Sequence, residues 1–207
     1  DAAFLITDRE TESETSIIAL NTLRETEPQS FPIIKEMNLN ETATIMYTSG
    51  TTGKAKAVRQ TYGNHLSSAF GSMLNLGLRE NDKWLCAMPL FHISGLSILL
   101  RSVIYGSAVV LHRHFDPKLA NQEILTEGVT IMSIVSTMLS RMLDDLNEAE
   151  YPASFYGMLL GGGPAPMPLL ERTAEMNIRV FQTYGMTETS SQIATLAPED
   201  ALRKLGS

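Results

Sequence analysis

From residue 43 onward, short apolar runs alternate with longer amphipathic stretches, and this alternation restricts the fold more than any other feature of the chain. Strands are expected at Thr44–Tyr47, Trp84–Met88, Ala108–Leu111, Thr130–Val135, Phe155–Leu160 and Arg179–Thr183. Helices are expected at Tyr62–Leu76, Ser94–Tyr105, Pro117–Thr126, Thr137–Asn147 and Met167–Met176. Strand and helix in this order favour an α/β fold, with mainly parallel sheets layered with helices. The first 42 residues are more polar and read as a peripheral segment, with Asp8–Glu14 a loop and Ile17–Thr22 a short helix or strand. The core is placed in residues 43–207.

Turn-forming sequences collect after the strands. Ligands in open parallel sheets lie outside the carboxyl ends of the strands, so four unusual loops there are expected to line one crevice. The first, Tyr47-Thr48-Ser49-Gly50-Thr51-Thr52-Gly53-Lys54-Ala55-Lys56, combines hydroxyls, two glycines and two lysines. Glycine lets backbone amides converge on an anion, hydroxyls donate to it and lysine offsets its charge, so the loop reads as a phosphate grip. It is not a P-loop. Gly50 and Gly53 enclose two residues rather than four, and Ala55 stands where Ser or Thr should follow the lysine.

A net charge of −7 argues against a sequence-independent nucleic-acid binder, so the anion site must be local, and Lys54, Lys56 and Arg59 supply it. No apolar stretch approaches a membrane span, and the first residues lack a signal-peptide pattern. The single cysteine, Cys86, excludes an internal disulfide framework; it reads as a small buried hydrophobe, and a cytoplasmic location is the default. Asn40-Glu41-Thr42 matches the glycosylation pattern and is read as chance.

Each remaining loop has a bland reading beside a chemical one. Gly161-Gly162-Gly163 is either a flexible connection or, stiffened by Pro164-Ala165-Pro166, a backbone edge for a planar ring. His92, after Pro89-Leu90-Phe91, is by itself more often structural than catalytic. His112 and His114 flank Arg113 without a third ligand and read as a surface turn rather than a metal site. Glu188, in Tyr184-Gly185-Met186-Thr187-Glu188, is either a surface acid or a ligand for Mg²⁺, which prefers a few carboxylate oxygens together with substrate phosphates.

Taken in this order, Thr48–Lys56, Pro89–His92, Gly161–Pro166 and Tyr184–Glu188 resemble the acyl-adenylate-forming enzymes, which include acyl-CoA ligases, luciferases and peptide-synthetase adenylation domains. Arg59–His65, Phe91–Ser97 and Gln182–Gln192 are most similar to the o-succinylbenzoate–CoA ligase branch, of menaquinone biosynthesis. The resemblance runs from about Glu41 to the last residue and implies part of the family's large N-terminal domain. Such enzymes join ATP and a carboxylate as acyl-AMP with loss of pyrophosphate, then pass the acyl group to coenzyme A.

Carried over by position, the resemblance implies that Thr48, Ser49, Gly50, Thr51, Thr52, Gly53 and Lys56 hold the β- and γ-phosphates of ATP. Gly161, Gly162, Gly163, Ala165, Pro166 and Gly185 would border the adenine, and Tyr184 would stack on it. Thr187 would bond the α-phosphate and Glu188 would hold Mg²⁺. His92 would stand at the acyl pocket, and Arg101, Ser190, Ser191 and Gln192 would meet the second, aromatic carboxylate of o-succinylbenzoate, with Thr189 near them. His92, Lys56, Thr187 and Glu188 form the catalytic set.

Ala55 and Ala57 depart from the proline and glycine of many relatives, which makes the loop less stiff. The family's ribose-binding aspartate, hinge and C-terminal domain would lie beyond Ser207, so residues 1–207 alone are expected not to complete turnover. The competing expectations are a ligase for another aromatic or fatty acid, and a non-catalytic nucleotide-binding module. Acid-dependent pyrophosphate release across a panel of acids separates all three. The sequence assigns no nucleic-acid partner, no membrane span and no oligomeric state.

Overall fold

The computed structural model describes residues 4–7, 12–13, 15–27, 30, 32, 35–48 and 55–203. Contacts divide the chain into two units, residues 1–37 and 38–207. In the first, β1 (Phe4–Thr7) pairs in parallel with β2 (Ser16–Ala19), and α1 (Leu20–Glu25) follows directly. The expected helix or strand at Ile17–Thr22 is thus a strand that turns into a helix. The loop expected at Asp8–Glu14 falls mostly outside the described residues; Glu12 and Ser13 have no regular structure.

The second unit opens with an antiparallel pair, β3 (Thr42–Thr48) and β4 (Lys56–Thr61), in which Thr44 faces Gln60 and Thr48 faces Lys56. Helix α2 (Tyr62–Leu76) starts at Thr61 in a capping box: the Thr61 hydroxyl accepts from the Asn64 N–H at 3.1 Å, and the Asn64 side chain accepts from the Thr61 N–H at 2.9 Å. Then follow β5 (Lys83–Cys86), α3 (Ile93–Tyr105), β6 (Ala108–Leu111) and α4 (Pro117–Thr126). Asp116 caps α4 and Pro117 fits its first turn, where a missing N–H costs nothing. The chain continues through β7 (Ile131–Ile134), α5 (Ser136–Leu146), β8 (Gly157–Leu160), α6 (Met167–Glu175), β9 (Val180–Met186), a 3-10 turn (Thr187–Thr189), β10 (Ser191–Leu196) and α7 (Pro198–Arg203).

One six-stranded sheet, in the order β10-β9-β8-β7-β5-β6, carries the unit, and all of its pairings are parallel except β9–β10. Both faces are covered. Leu85, Met132, Ile134, Met158 and Leu160 pack against Ile124 of α4, Leu139 and Met142 of α5 and Leu170 of α6. Trp84, Cys86, Ile131, Leu159 and Phe181 point the other way, onto Leu76 of α2 and Ile98 of α3. The alternation of side chains along a strand therefore fills two cores at once, which is why the central strands read as unbroken apolar runs. Cys86 is fully buried, and burial pushes its thiol pKa up.

Three departures from the sequence expectation concern edges. The run 56–61 is a strand, β4. The last strand does not stop at Thr183 but runs to Met186, because β10 pairs with it from Ser191↔Met186 to Leu196↔Gln182. His112, expected in an exposed turn, has a side chain only 6% exposed, with Nε2 3.6 Å from Glu123 Oε1 on α4. No cluster of three or more metal-ligating side chains occurs among the described residues.

Candidate functional site

The parallel strands β5, β7, β8 and β9 end on one edge of the sheet, with β7 between β5 and β8, so the segments that leave them meet. Met88 and His92 after β5, Gly161 and Gly162 after β8, and Thr187 after β9 all line one cavity of about 440 Å³. The fourth expected loop belongs to the β3–β4 hairpin. Its residues Ser49, Gly50, Thr51, Thr52, Gly53 and Lys54 lie outside the described residues; Thr48 and Lys56 pair at its base, with Lys56 exposed.

A second cavity, of about 540 Å³, adjoins the first. Gly162, Thr183 and Gly185 line both, and Gly163, Gln182 and Tyr184 line the second alone. Gly162 has φ 83°, a conformation that disfavours any side chain. Gly185 is required by packing: a Cβ there would lie 2.2 Å from the Ser191 carbonyl oxygen on β10. Tyr184 is 62% exposed, an open aromatic face at the rim. The Gln182 Nε2 group is buried without a hydrogen-bond partner among the described residues, leaving a donor at this cavity's wall. Ala165 packs on the core and Pro166 precedes α6, and neither is among the residues lining the two cavities.

The deep wall of the first cavity is electrostatically unusual. Arg101 of α3 is 3% exposed, yet among the described residues no carboxylate comes within ion-pair distance of it. Its partners are neutral and long: the Ser191 hydroxyl at 3.3 Å, Gln192 Oε1 at 3.4 Å and the Ser68 hydroxyl at 3.5 Å. Nε has no hydrogen-bond partner among the described residues, and the guanidinium carbon lies 5.8 Å from the centre of the Trp84 ring. Burial lowers the Arg101 pKa to about 10. A cation held this deep among neutral oxygens is costly unless a ligand brings the opposite charge.

His92 is the residue before α3, exposed at the mouth, with its ring 4.5 Å from that of Phe91. Ser191 and Gln192 line the cavity beside Arg101, while Ser190 is buried and its carbonyl accepts from the Ser68 hydroxyl at 2.7 Å. Thr189 turns inward, its hydroxyl donating to the Ser191 carbonyl at 2.7 Å. Glu188 sits exposed in the first turn of the 3-10 segment, beside Thr187 and with no ion pair among the described residues. One carboxylate with an adjacent hydroxyl does not make a protein-only metal cage. It does suit Mg²⁺, which keeps water and phosphate oxygens as most of its ligands.

A family model for AMP-binding enzymes matches residues 2–207. The chain belongs to the AMP-binding enzyme family. This AMP-binding enzyme segment is 66% identical to the 2-succinylbenzoate–CoA ligase of Geobacillus kaustophilus over 170 residues, which cover 82% of the chain and 35% of that protein. It is 54% identical to the 2-succinylbenzoate–CoA ligase of Bacillus pumilus over 195 residues, covering 94% and 40%. The chain thus spans about two fifths of the length of the curated relatives it matches. Among solved structures, o-succinylbenzoate coenzyme A synthetase from Bacillus subtilis with its acyl-adenylate intermediate superposes with a TM-score of 0.92 at 50% identity, covering 100% of this chain and 43% of that one. The same Bacillus subtilis enzyme with ATP and magnesium ion gives 0.91 at 49% identity, covering 100% and 44%.

Sequence reasoning missed several residues that shape the site of this AMP-binding enzyme. Ser97 of α3 lines the first cavity, with its hydroxyl 3.3 Å from that of Ser191, and Ser133 on β7 lines it while accepting from the Trp84 indole N–H at 3.0 Å. Ser68 and Gln60 reach the turn after β9 from α2 and β4. A lone serine or glutamine carries no spacing that would single it out.

Proposed function

We propose that the full-length protein is an AMP-forming acid–CoA ligase whose acid is 2-succinylbenzoate, a step that the family resemblance assigns to menaquinone biosynthesis. The observation that carries this reading is Arg101: a buried guanidinium with no acidic counter-ion among the described residues, lining a cavity that also meets Thr187. The acid is doubly charged. Its aliphatic carboxylate must reach the nucleotide, and its aromatic carboxylate needs a cation at the far end of the pocket. Arg101, with the Ser191 hydroxyl and the Gln192 amide beside it, fits that second carboxylate.

In the reaction, an oxygen of the aliphatic carboxylate bonds to the α-phosphorus of ATP, the bond from that phosphorus to the bridging oxygen breaks, and pyrophosphate leaves with the electron pair. Coenzyme A then attacks the acyl carbonyl through sulfur and AMP departs. Both reactants of the first step are anions, so alignment and charge compensation supply most of the catalysis. Thr48 to Gly53 and Lys56 hold the β- and γ-phosphates, and Thr187 the α-phosphate. Gly161, Gly162, Gly163, Ala165, Pro166 and Gly185 form the border of the adenine, with Tyr184 against its face. His92 orients the reacting carboxylate. Glu188 holds Mg²⁺, which when bound neutralises phosphate charge. ATP and coenzyme A are cytosolic metabolites, and we place the enzyme in the cytoplasm. Among the described residues no helix is long and apolar enough to cross a membrane. The segments 1–42 and 43–207 then serve as a peripheral part and the nucleotide-binding core of the large domain.

Pyrophosphate release by the full-length enzyme across a panel of aromatic and fatty acids tests this reading. The expected result is a preference for 2-succinylbenzoate, together with a raised Mg²⁺ requirement in Glu188→Gln. A preference for a singly charged acid would refute the assignment, and no acid-dependent release would refute the ligase itself.

A further inference from the structure

We propose that Gln60 is a positioning residue for the Thr187–Glu188 turn, acting through a hydrogen-bond chain of fixed polarity that starts at His65; this rests on the reading of that turn as the α-phosphate and metal site. Gln60 is 1% exposed and stands opposite Thr44 in the β3–β4 pair. Its Nε2 donates to the Thr187 carbonyl oxygen at 2.5 Å, and its Oε1 accepts from the Thr44 hydroxyl at 2.7 Å. The Thr44 oxygen lies 2.9 Å from Nε2 of His65, a buried residue of α2.

The polarity follows by elimination. A carbonyl oxygen only accepts, so the amide nitrogen of Gln60 must face Thr187 and its oxygen must face Thr44. That oxygen also only accepts, which commits the single Thr44 hydroxyl proton to it. Thr44 has only lone pairs left for His65, whose Nε2 must therefore carry a hydrogen. Burial lowers the His65 pKa, so the ring is neutral with its proton on Nε2 at neutral pH. Each member can satisfy its neighbour in one direction only, and the chain holds Gln60 in one orientation.

What Gln60 holds is the peptide joining Thr187 to Glu188, because the carbonyl it grips belongs to that peptide. The Ser68 hydroxyl fixes the other end of the turn through the Ser190 carbonyl but does not touch Thr187. Gln60 therefore ties the hairpin that carries Thr48 and Lys56 to the peptide plane that precedes the Glu188 side chain. The titratable groups bearing on position 60 are His65 through Thr44, Lys56 and Arg59 on its own strand, and Glu188 in the turn it holds.

Gln60→Glu in the full-length enzyme, assayed by acid-dependent pyrophosphate exchange against pH, tests the proposal. An ionised glutamate has no proton for the Thr187 carbonyl and repels it, whereas a protonated one donates one bond and accepts one, as the amide does. The variant should lose roughly ten- to a hundredfold in kcat at neutral pH and regain activity as the pH falls, with the KM for the acid moving less than kcat. The wild type should show no such rise over that range. Gln60→Leu should be impaired at every pH. A Gln60→Glu profile that parallels the wild type overturns the proposal, and so does a Gln60→Leu enzyme that exchanges at the wild-type rate. If Gln60→Leu does not fold, the Gln60→Glu profile decides alone. An inactive wild type would overturn the ligase reading and this role with it, which is distinct from an active wild type indifferent to position 60.

Discussion

Arg101→Met separates a substrate-binding cation from a structural one. Methionine is unbranched and apolar, so it fills the space of the stem and removes the charged head with its donors. In the unliganded protein the guanidinium has three neutral contacts of 3.3 to 3.5 Å and an orphaned Nε, so little hydrogen bonding is lost, and the cost of burying an unpaired charge disappears. Thermal stability should stay level or rise. Binding should behave oppositely. Truncating one partner of a buried, hydrogen-bonded charge pair costs about 2–5 kcal/mol, which at about 1.4 kcal/mol per decade is roughly thirtyfold to a few thousandfold in affinity. The assay is pyrophosphate release by the full-length enzyme at saturating ATP, with 2-succinylbenzoate and with 4-oxo-4-phenylbutanoate, which lacks the aromatic carboxylate. The KM for the first should rise by roughly thirtyfold or more, while the second should scarcely change. In the wild type, affinity for the doubly charged acid should also fall as pH rises through about 10, because Arg101 is charged below that value and neutral above it. Equal losses for both acids, or a variant that melts well below the wild type, would refute the reasoning.

Gln192→Ala should raise the KM for the acid more than that for ATP, since its Oε1 meets Arg101 and its Nε2 meets the Thr195 hydroxyl; equal effects on both would take it out of the acid pocket. Burial holds the His65 pKa below 6.5, so the unfolded chain binds more protons between that value and the lowered one, and stability should drop as pH falls through this window. Urea midpoints of the wild type and His65→Gln, measured from neutral to about pH 5, should converge on acidification; parallel curves would exclude the contribution. Gly185→Ala should cost about 3 kcal/mol by forcing β10 away from β9, and a loss under about 1 kcal/mol would show that the strands relax without strain.

Local signals explain which elements were legible. Helices α2 and α4 have the expected bounds because their starts are written in adjacent residues, Thr61 with Asn64 and Asp116 with Pro117. Strands β5, β7 and β8 were legible because burial on both faces demands continuous apolar runs. Strands β4 and β10 were not, since each lies outside the parallel layers and mixes polar with apolar side chains. The loops that meet at the cavities announce themselves through glycine, proline and clustered hydroxyls. The groups that hold them do not: Gln60 reaches a carbonyl 127 residues away, and Ser68 one 122 residues away. Arg101 was visible as a cation, but its lack of an acidic neighbour among the described residues is a property of packing alone.

Strand β9 forms a party wall between two differently built rooms. Gly163, Tyr184 and Leu196 line one and not the other, whereas Ser97 and Arg101 of α3 and Gln192 of β10 line only its neighbour. On the proposed reading, a descendant could acquire a new acid by replacing Arg101, Ser97 or Gln192, none of which lines the second cavity. Under that reading, a lineage with this architecture would diversify what it activates without relearning how to hold its fuel.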